Sequence, residues 1–156
     1  MSNAIKLIIS IAIPLAVGAL GSFFTTPEIN GWYETIQKPG WNPPNYIFGP
    51  VWIFLYVLMG IALYIVWKSP ADDSLKRRAW FLFVEQLIFN FAWSFIFFNQ
   101  HNITGALADI LVLWVFILLT IFAFARVSKL AAWLLVPYIS WVTFAGVLNY
   151  SIWVLN

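Results

Sequence analysis

Polar side chains are costly inside long apolar stretches, so the few that occur there mark where bonding or chemistry is concentrated. In this chain they are Glu85, Gln86, Asn90, Asp109 and Asn149. Asn90 carries both a donor and an acceptor, which suits a ligand or a neighbouring helix equally well. Glu85 follows the basic cluster ending at Arg78, and a structural pairing with that cluster or with headgroups is favoured over a proton relay. Asp109 suits either an ion-pair partner or a protonated acid within a bundle, and no catalytic pair can be built from it. His101 is the single histidine and falls in the polar knot Asn99-Gln100-His101-Asn102, a setting for a solvated interface residue rather than an axial haem ligand. The chain has no Cys, no second histidine to complete a metal site, no credible Ser-His-Asp set and no glycine-rich phosphate loop. Conventional hydrolytic and phosphoryl-transfer chemistry is therefore unsupported.

What remains is recognition by aromatic rings. At helical spacing, Phe48, Trp52 and Tyr56 form one stripe, and Gln86, Asn90, Trp93 and Phe97 a second. Pro137 or Tyr138 with Trp141, Ala145 and Leu148 forms a third, and three such stripes can line one cavity. The plainer alternative is that aromatic residues face lipid or form interfacial belts, and Trp32, Trp41, Trp67, Trp80 and Trp133, near predicted span ends, suit that role. Trp52, Trp93 and Trp141 lie deeper, where an indole N–H costs free energy unless a partner or ligand accepts its hydrogen bond. An aromatic, charge-poor cavity suits a flat apolar ligand, a description that tetrapyrroles, sterols and planar drugs all meet.

The elements that must position these residues are membrane spans. Of 156 residues, 63% are hydrophobic and only 9% charged, with a mean hydropathy of +0.88, more apolar surface than a soluble domain of this size can bury. Uncharged runs cover Leu7 to Pro27, Pro39 to Trp67 and Leu130 to Asn156, and two more are interrupted only by Glu85 and Asp109. Each is long enough to cross ~30 Å of hydrocarbon as a helix. The expected fold is an all-α integral membrane protein, a single five-transmembrane-helix bundle over 1–156. Its approximate spans are 5–25, 47–67, 79–98, 103–125 and 130–153, with a structured first loop, a lid, over 26–46.

Five spans put Lys6, Lys68, Lys76, Arg77, Arg78, Arg126 and Lys129 on one side and Lys38 alone on the other. This predicts a multi-pass protein with its N-terminus inside, in a cytoplasmic membrane if the source is bacterial, an outer membrane being the alternative. The net charge of +2 reflects that orientation, and there is no nucleic-acid footprint. Pro14, Gly18 and Ser22 recur at intervals of four in the first span, a small-residue face for close helix contact. Gly49 and Pro50 mark the start of the second span, and Pro137 predicts a kink or a frayed first turn in the fifth.

Taken in order, Trp32-Tyr33, Lys38-Pro39, Trp41-Asn42-Pro43-Pro44, Gly49-Pro50-Val51-Trp52, Leu55-Tyr56 and Met59-Gly60 reproduce one family's first-loop and second-helix signature. The match continues through Gln86-Leu87, Asn90 to Trp93, Phe97-Phe98, Ala106-Leu107 with Asp109, Pro137-Tyr138, Trp141, Phe144-Ala145, and Leu148-Asn149-Tyr150 with Trp153. Over nearly its whole length the chain resembles the translocator proteins of the TspO/MBR family, also called tryptophan-rich sensory proteins or peripheral benzodiazepine receptors. The resemblance implies a five-helix bundle, a homodimer, and a pocket opening under the first loop. It implies tetrapyrrole ligands such as protoporphyrin IX and haem-related porphyrins, sterols in some members, and isoquinoline carboxamide or benzodiazepine drugs, with no cofactor required. The implied ligand-binding residues are Tyr33, Trp41, Trp52, Asn90, Trp93, Trp141, Ala145 and Leu148. Some bacterial members promote light-dependent breakdown of protoporphyrin, and the matching tryptophans here, Trp52 and Trp141, take a photochemical role by that resemblance. One departure stands out. The sterol motif proposed for animal members needs a basic residue after the C-terminal tyrosine, and Tyr150 is followed by none, which removes the basis for sterol binding by that motif.

The function expected first is a membrane receptor that binds tetrapyrroles, in porphyrin sensing or stress regulation and in light-dependent porphyrin degradation. A transporter of porphyrins or sterols is the alternative, against which stand the lack of internal repeats and of a polar pathway. A non-catalytic scaffold that recruits a protein partner through the small-residue face is the third.

Overall fold

A computed structural model of the chain describes residues 1–156. It contains seven α-helices and no strand: α1 (Asn3–Ile29), α2 (Trp32–Thr35), α3 (Asn45–Lys68), α4 (Asp73–Ser94), α5 (Ile103–Ala125), α6 (Lys129–Leu134) and α7 (Val136–Leu155). Five stretches are long and apolar enough to cross a membrane: Asn3–Ile29, Asn45–Lys68, Asp73–Asn99, Ile103–Ala125 and Lys129–Leu155. The all-α five-span bundle is therefore the observed fold, and the protein is an integral, multi-pass membrane protein.

Local chemistry sets the helix ends. Ser2 Oγ accepts from Ile5 N, Asn102 Oδ1 from Gly105 N at 2.8 Å, and Ser128 Oγ from Ala131 N, so side-chain oxygens satisfy orphan amides at three N-termini. α3 starts at Asn45, directly after Pro43-Pro44. Pro50 consequently stands in its second turn rather than at its start, and the Tyr46 carbonyl loses the partner a helix would otherwise supply. α1 runs on through Pro27 to Ile29, a turn past the expected span end at 25. α4 ends in a π turn over Phe95–Asn99, followed by His101 at φ 52, the one non-glycine residue in the left-handed region. The fifth span breaks at Leu135, whose N–H turns back to Ala132 O at 3.1 Å. Pro137 occupies the first turn of the helix that follows, in keeping with the disruption its missing N–H predicts.

The bundle is held tightly at the end that carries the basic loops and is hollow at the other. Met59, Leu63 and Val66 of α3, Phe83 of α4, Leu113, Ile117 and Phe124 of α5, and Leu135 and Tyr138 belong to one buried cluster. Phe83 and Phe124 stack at 5.8 Å between centroids. Because lipid is as apolar as these side chains, dispersion and close backbone approach drive this association. Gly60 is the clearest instance: a Cβ there would collide with the backbone of Ile11, and would lie 2.9 Å from Ser10 O, so α1 and α3 meet nearly backbone to backbone. The expected small-residue contact face of α1 holds at Pro14, which is buried, and at Gly18, where a Cβ would strike the Tyr56 ring. It fails at Ser22, which is exposed and borders the cavity instead. Trp67 and Trp80, expected as belt residues, meet edge to face at 5.4 Å, with Lys6 Nζ 6.0 Å from the Trp67 ring. Glu85 forms no ion pair with Arg78, since the only ion pairs are Lys76 with Asp73 and His101 with Glu28.

Candidate ligand-binding cavity

The lid end encloses a cavity of about 500 Å³, a size typical of sites for drug-sized ligands. The elements that build it are α1, α3, α4 with its π turn, α5 and α7, with α2 as the roof. Each of the three aromatic stripes reaches its wall: Phe48, Trp52 and Tyr56 from α3, Asn90, Trp93 and Phe97 from the fourth span, and Trp141, Ala145 and Leu148 from α7. None of its lining residues is charged. No group of three His, Asp or Glu side chains comes together anywhere to hold a metal.

Seven of the eight residues implied by resemblance, Tyr33, Trp52, Asn90, Trp93, Trp141, Ala145 and Leu148, line this one cavity. Trp41 does not. It is 48% exposed and packs edge-on against Phe144 at 5.8 Å, which in turn lies 5.2 Å from Trp141. The cause is the lid: α2 places Tyr33 over the opening, and Trp41 lies further along, inside the turn that Asn42 N closes on Pro39 O at 3.0 Å, at the rim. What the stripes did not signal is that α1 is a wall of the cavity as well as a packing helix, through Gly18, Gly21 and Ser22 among others. Their small size at three- and four-residue intervals is what leaves the hollow.

A buried polar bridge crosses the floor. Tyr56 Oη donates to Asn90 Oδ1 at 2.7 Å, Asn90 Nδ2 donates to Tyr138 Oη at 2.9 Å, and Tyr138 Oη donates to Gln86 Oε1 at 2.7 Å. α3, α4 and α7 are thus joined through one asparagine, and the donor-or-bridge ambiguity of Asn90 resolves toward the bridge, with one amide hydrogen left over. Trp93 is similarly engaged: its Nε1 donates to Asn149 Oδ1 at 3.0 Å, and Asn149 Nδ2 donates to Ile103 O at 3.2 Å. Trp141 differs, because its Nε1 is buried with no partner, a condition that costs about 1–3 kcal/mol. Trp52 stacks on Tyr56 at 5.5 Å and meets Tyr138 edge-on, so its ring plane is fixed by the bridge. Asp109 is buried with one carboxyl oxygen unpartnered and lies outside the cavity wall.

The roof is fastened at three points. Tyr33, 5% exposed, donates from Oη to Asn42 Oδ1 at 2.9 Å. Burial pushes its phenol up to about 12, against a smaller lowering by Asn42, so it stays a neutral donor at ordinary pH. Lys38 Nζ donates to the carbonyls of Tyr33 at 2.6 Å and Ile36 at 3.1 Å and sits 4.8 Å from the Tyr33 ring centroid. Gln37 N donates to Asn156 Oδ1 at 3.0 Å, and Asn156 Nδ2 donates back to Gln37 O at 2.9 Å. His101, expected to be solvated, stacks on Trp32 at 4.4 Å with planes 9° apart and lies 3.1 Å from Glu28 Oε2, tying the α4–α5 turn to the end of α1.

Five spans around an uncharged aromatic cavity, roofed by a folded first loop, define an all-α integral membrane protein of the receptor or translocator class. The comparisons with known proteins agree. The TspO/MBR family matches residues 10–154, and the chain belongs to that family, which makes it a membrane protein of the translocator type. It is 43% identical to Tryptophan-rich protein TspO of Archaeoglobus fulgidus over 99% of both chains. It is 45% identical to the protein of the same name from Chlorobaculum tepidum, over 97% of this chain and 96% of that one. With Translocator protein of Homo sapiens it shares 41% identity over 86% of this chain and 80% of the other.

Proposed function

We propose that the protein is a tetrapyrrole receptor that binds porphyrins such as protoporphyrin IX in this cavity, in porphyrin sensing and in light-dependent porphyrin degradation. The observation that carries this reading is the cavity itself: about 500 Å³, uncharged, with Trp52, Trp93 and Trp141 on its walls. Flat rings stack on such walls, and the lining excludes any ligand whose charge must be neutralised at depth. A bound porphyrin supplies the photochemistry. The chain's part is to hold the macrocycle, shield it from water beneath Tyr33, and keep the oxidisable indoles of Trp52 and Trp141 beside it. The asymmetric basic loops support an N-terminus on the inside of a cytoplasmic membrane.

The test is titration of purified protein with protoporphyrin IX, following tryptophan quenching in the dark and porphyrin absorbance under light. Saturable quenching followed by protein-dependent bleaching is expected. Replacing Trp52 and Trp141 with Phe keeps most of the affinity and slows the bleaching. Bleaching at the wild-type rate in that variant removes the photochemical role, and absence of saturable quenching removes the ligand class.

A further inference from the structure

Gly49 is a glycine that packing does not demand, although it eases the crowding of Pro50 on the residue before it. It lies within α3, no glycine in the chain adopts a positive φ, and a Cβ built on it meets nothing within 4 Å. Gly18 and Gly60, by contrast, are required by close approach. Glycine is a poor helix former, so an unforced glycine in a helix asks for another reason.

The reason lies in what Gly49 borders. It is exposed on the outside of the bundle and also lines the cavity. The same holds for Ile53, one turn further along α3, and for Ala19, Ser22 and Thr26 on α1. Residues that face both the cavity and the surroundings outline an opening, and here they lie on the lid-end halves of α1 and α3, beyond the close contact at Gly18. The gap is on the side of the bundle, at span depth, below the exposed aromatic rings of Tyr46 and Trp41 that mark an interface level. Its edges offer lipid little polar barrier: Ser22 Oγ donates to Ala19 O at 2.9 Å and the neighbouring Thr25 Oγ1 to Gly21 O at 3.1 Å, so both hydroxyls are spent on their own helix and Thr26 is the polar residue left at the edge. The roof, meanwhile, is closed by Lys38, Asn156 and the His101–Glu28 contact.

We propose that this gap is a lateral portal through which a planar apolar ligand dissolved in the membrane enters the cavity, and that Gly49 keeps it open. That the cargo is a porphyrin rests on the reading above; the portal itself does not. The chain contains no Cys, so a single thiol placed on the cavity wall by A145C, or by L148C should A145C fold poorly, reports access directly. The full-length variant in lipid nanodiscs is treated with a membrane-soluble pyrenyl maleimide or with a sulfonated, membrane-impermeant one. The pyrenyl reagent is expected to react at least about tenfold faster, and adding G49F to slow it by about tenfold, equivalent to a raised barrier at the mouth. G40F, in the lid where a Cβ also meets nothing within 4 Å, leaves the rate unchanged. Equal rates for the two reagents, no effect of G49F, or no labelling by either overturns the portal. Because labelling requires no porphyrin, the portal and the porphyrin reading fail separately.

Discussion

Replacing Asn90 with leucine removes the centre of the bridge across the cavity floor while roughly preserving side-chain volume. Two hydrogen bonds disappear, the 2.7 Å bond from Tyr56 and the 2.9 Å bond to Tyr138, each a net contribution of about 0.5–1.5 kcal/mol. The Tyr56 hydroxyl is left without its acceptor, at a further cost of about 1–3 kcal/mol, whereas Tyr138 keeps Gln86. The expected loss is roughly 2–6 kcal/mol, or a fall in melting temperature of roughly 4–24 °C by the scaling for chains of this length. The assay is thermal unfolding of ligand-free protein in detergent, followed by near-ultraviolet circular dichroism. Y56F supplies the second arm: in Y56F/N90L no hydroxyl is stranded, so the double variant should be no less stable than N90L alone. A melting temperature for N90L within about 1 °C of wild type, or strictly additive losses in the double variant, would refute the bridge as a source of stability.

The two inner tryptophans should separate in the same assay: W93F breaks the bond to Asn149 and lowers stability by about 1 kcal/mol, while W141F removes a buried unpaired N–H and leaves ligand-free stability unchanged or raised. G60A forces α1 away from α3 by driving a methyl into the Ile11 backbone and should cost about 1–3 kcal/mol or more in unfolding free energy, whereas G49A, in open space, should cost nothing. The lid should weaken in strong alkali, and its tyrosine should titrate late. Burial raises the Tyr33 phenol from 10.0 to about 12, so the stability gained from its neutral form is complete below the unfolded value and is lost as pH rises through the folded one. Phenolate absorbance should show a late step absent from Y33F, and a step completed near pH 10 would contradict the roof described here.

Much of this was legible because membrane spans obey simple rules. Uncharged runs and two isolated acids, Glu85 and Asp109, were enough to count five spans, and the i, i+4 placing of Trp52, Trp93 and Trp141 was enough to turn them toward one cavity. Pairing between helices was not legible. Tyr56, Gln86, Asn90 and Tyr138 all stood in the stripes, yet nothing in a single sequence says that Asn90 lies level with both tyrosines, because the offset of one helix against another is decided by tertiary packing. The position of Trp41 was not legible for a related reason: it lies inside the turn from Pro39 to Asn42, and where such a turn sits is decided by tertiary contacts such as the one with Phe144. The role of α1 as a wall was hidden because Gly18 and Ser22 share one spacing pattern although one packs against Tyr56 and the other is exposed beside the cavity.

The contact of Gly60 with Ile11 also makes a lever of the first two spans. The crossing is a fulcrum that cannot be compressed, and the portal edge near Ser22 and Gly49 lies about 16–18 Å further along each arm at 1.5 Å per residue. A swing of about 5° at the fulcrum displaces that edge by roughly 1.5 Å, a fair fraction of the thickness of an aromatic ring. Bilayer thickness and lateral pressure act on the free ends of these arms, so the width of the mouth becomes a property of the host membrane as much as of the chain.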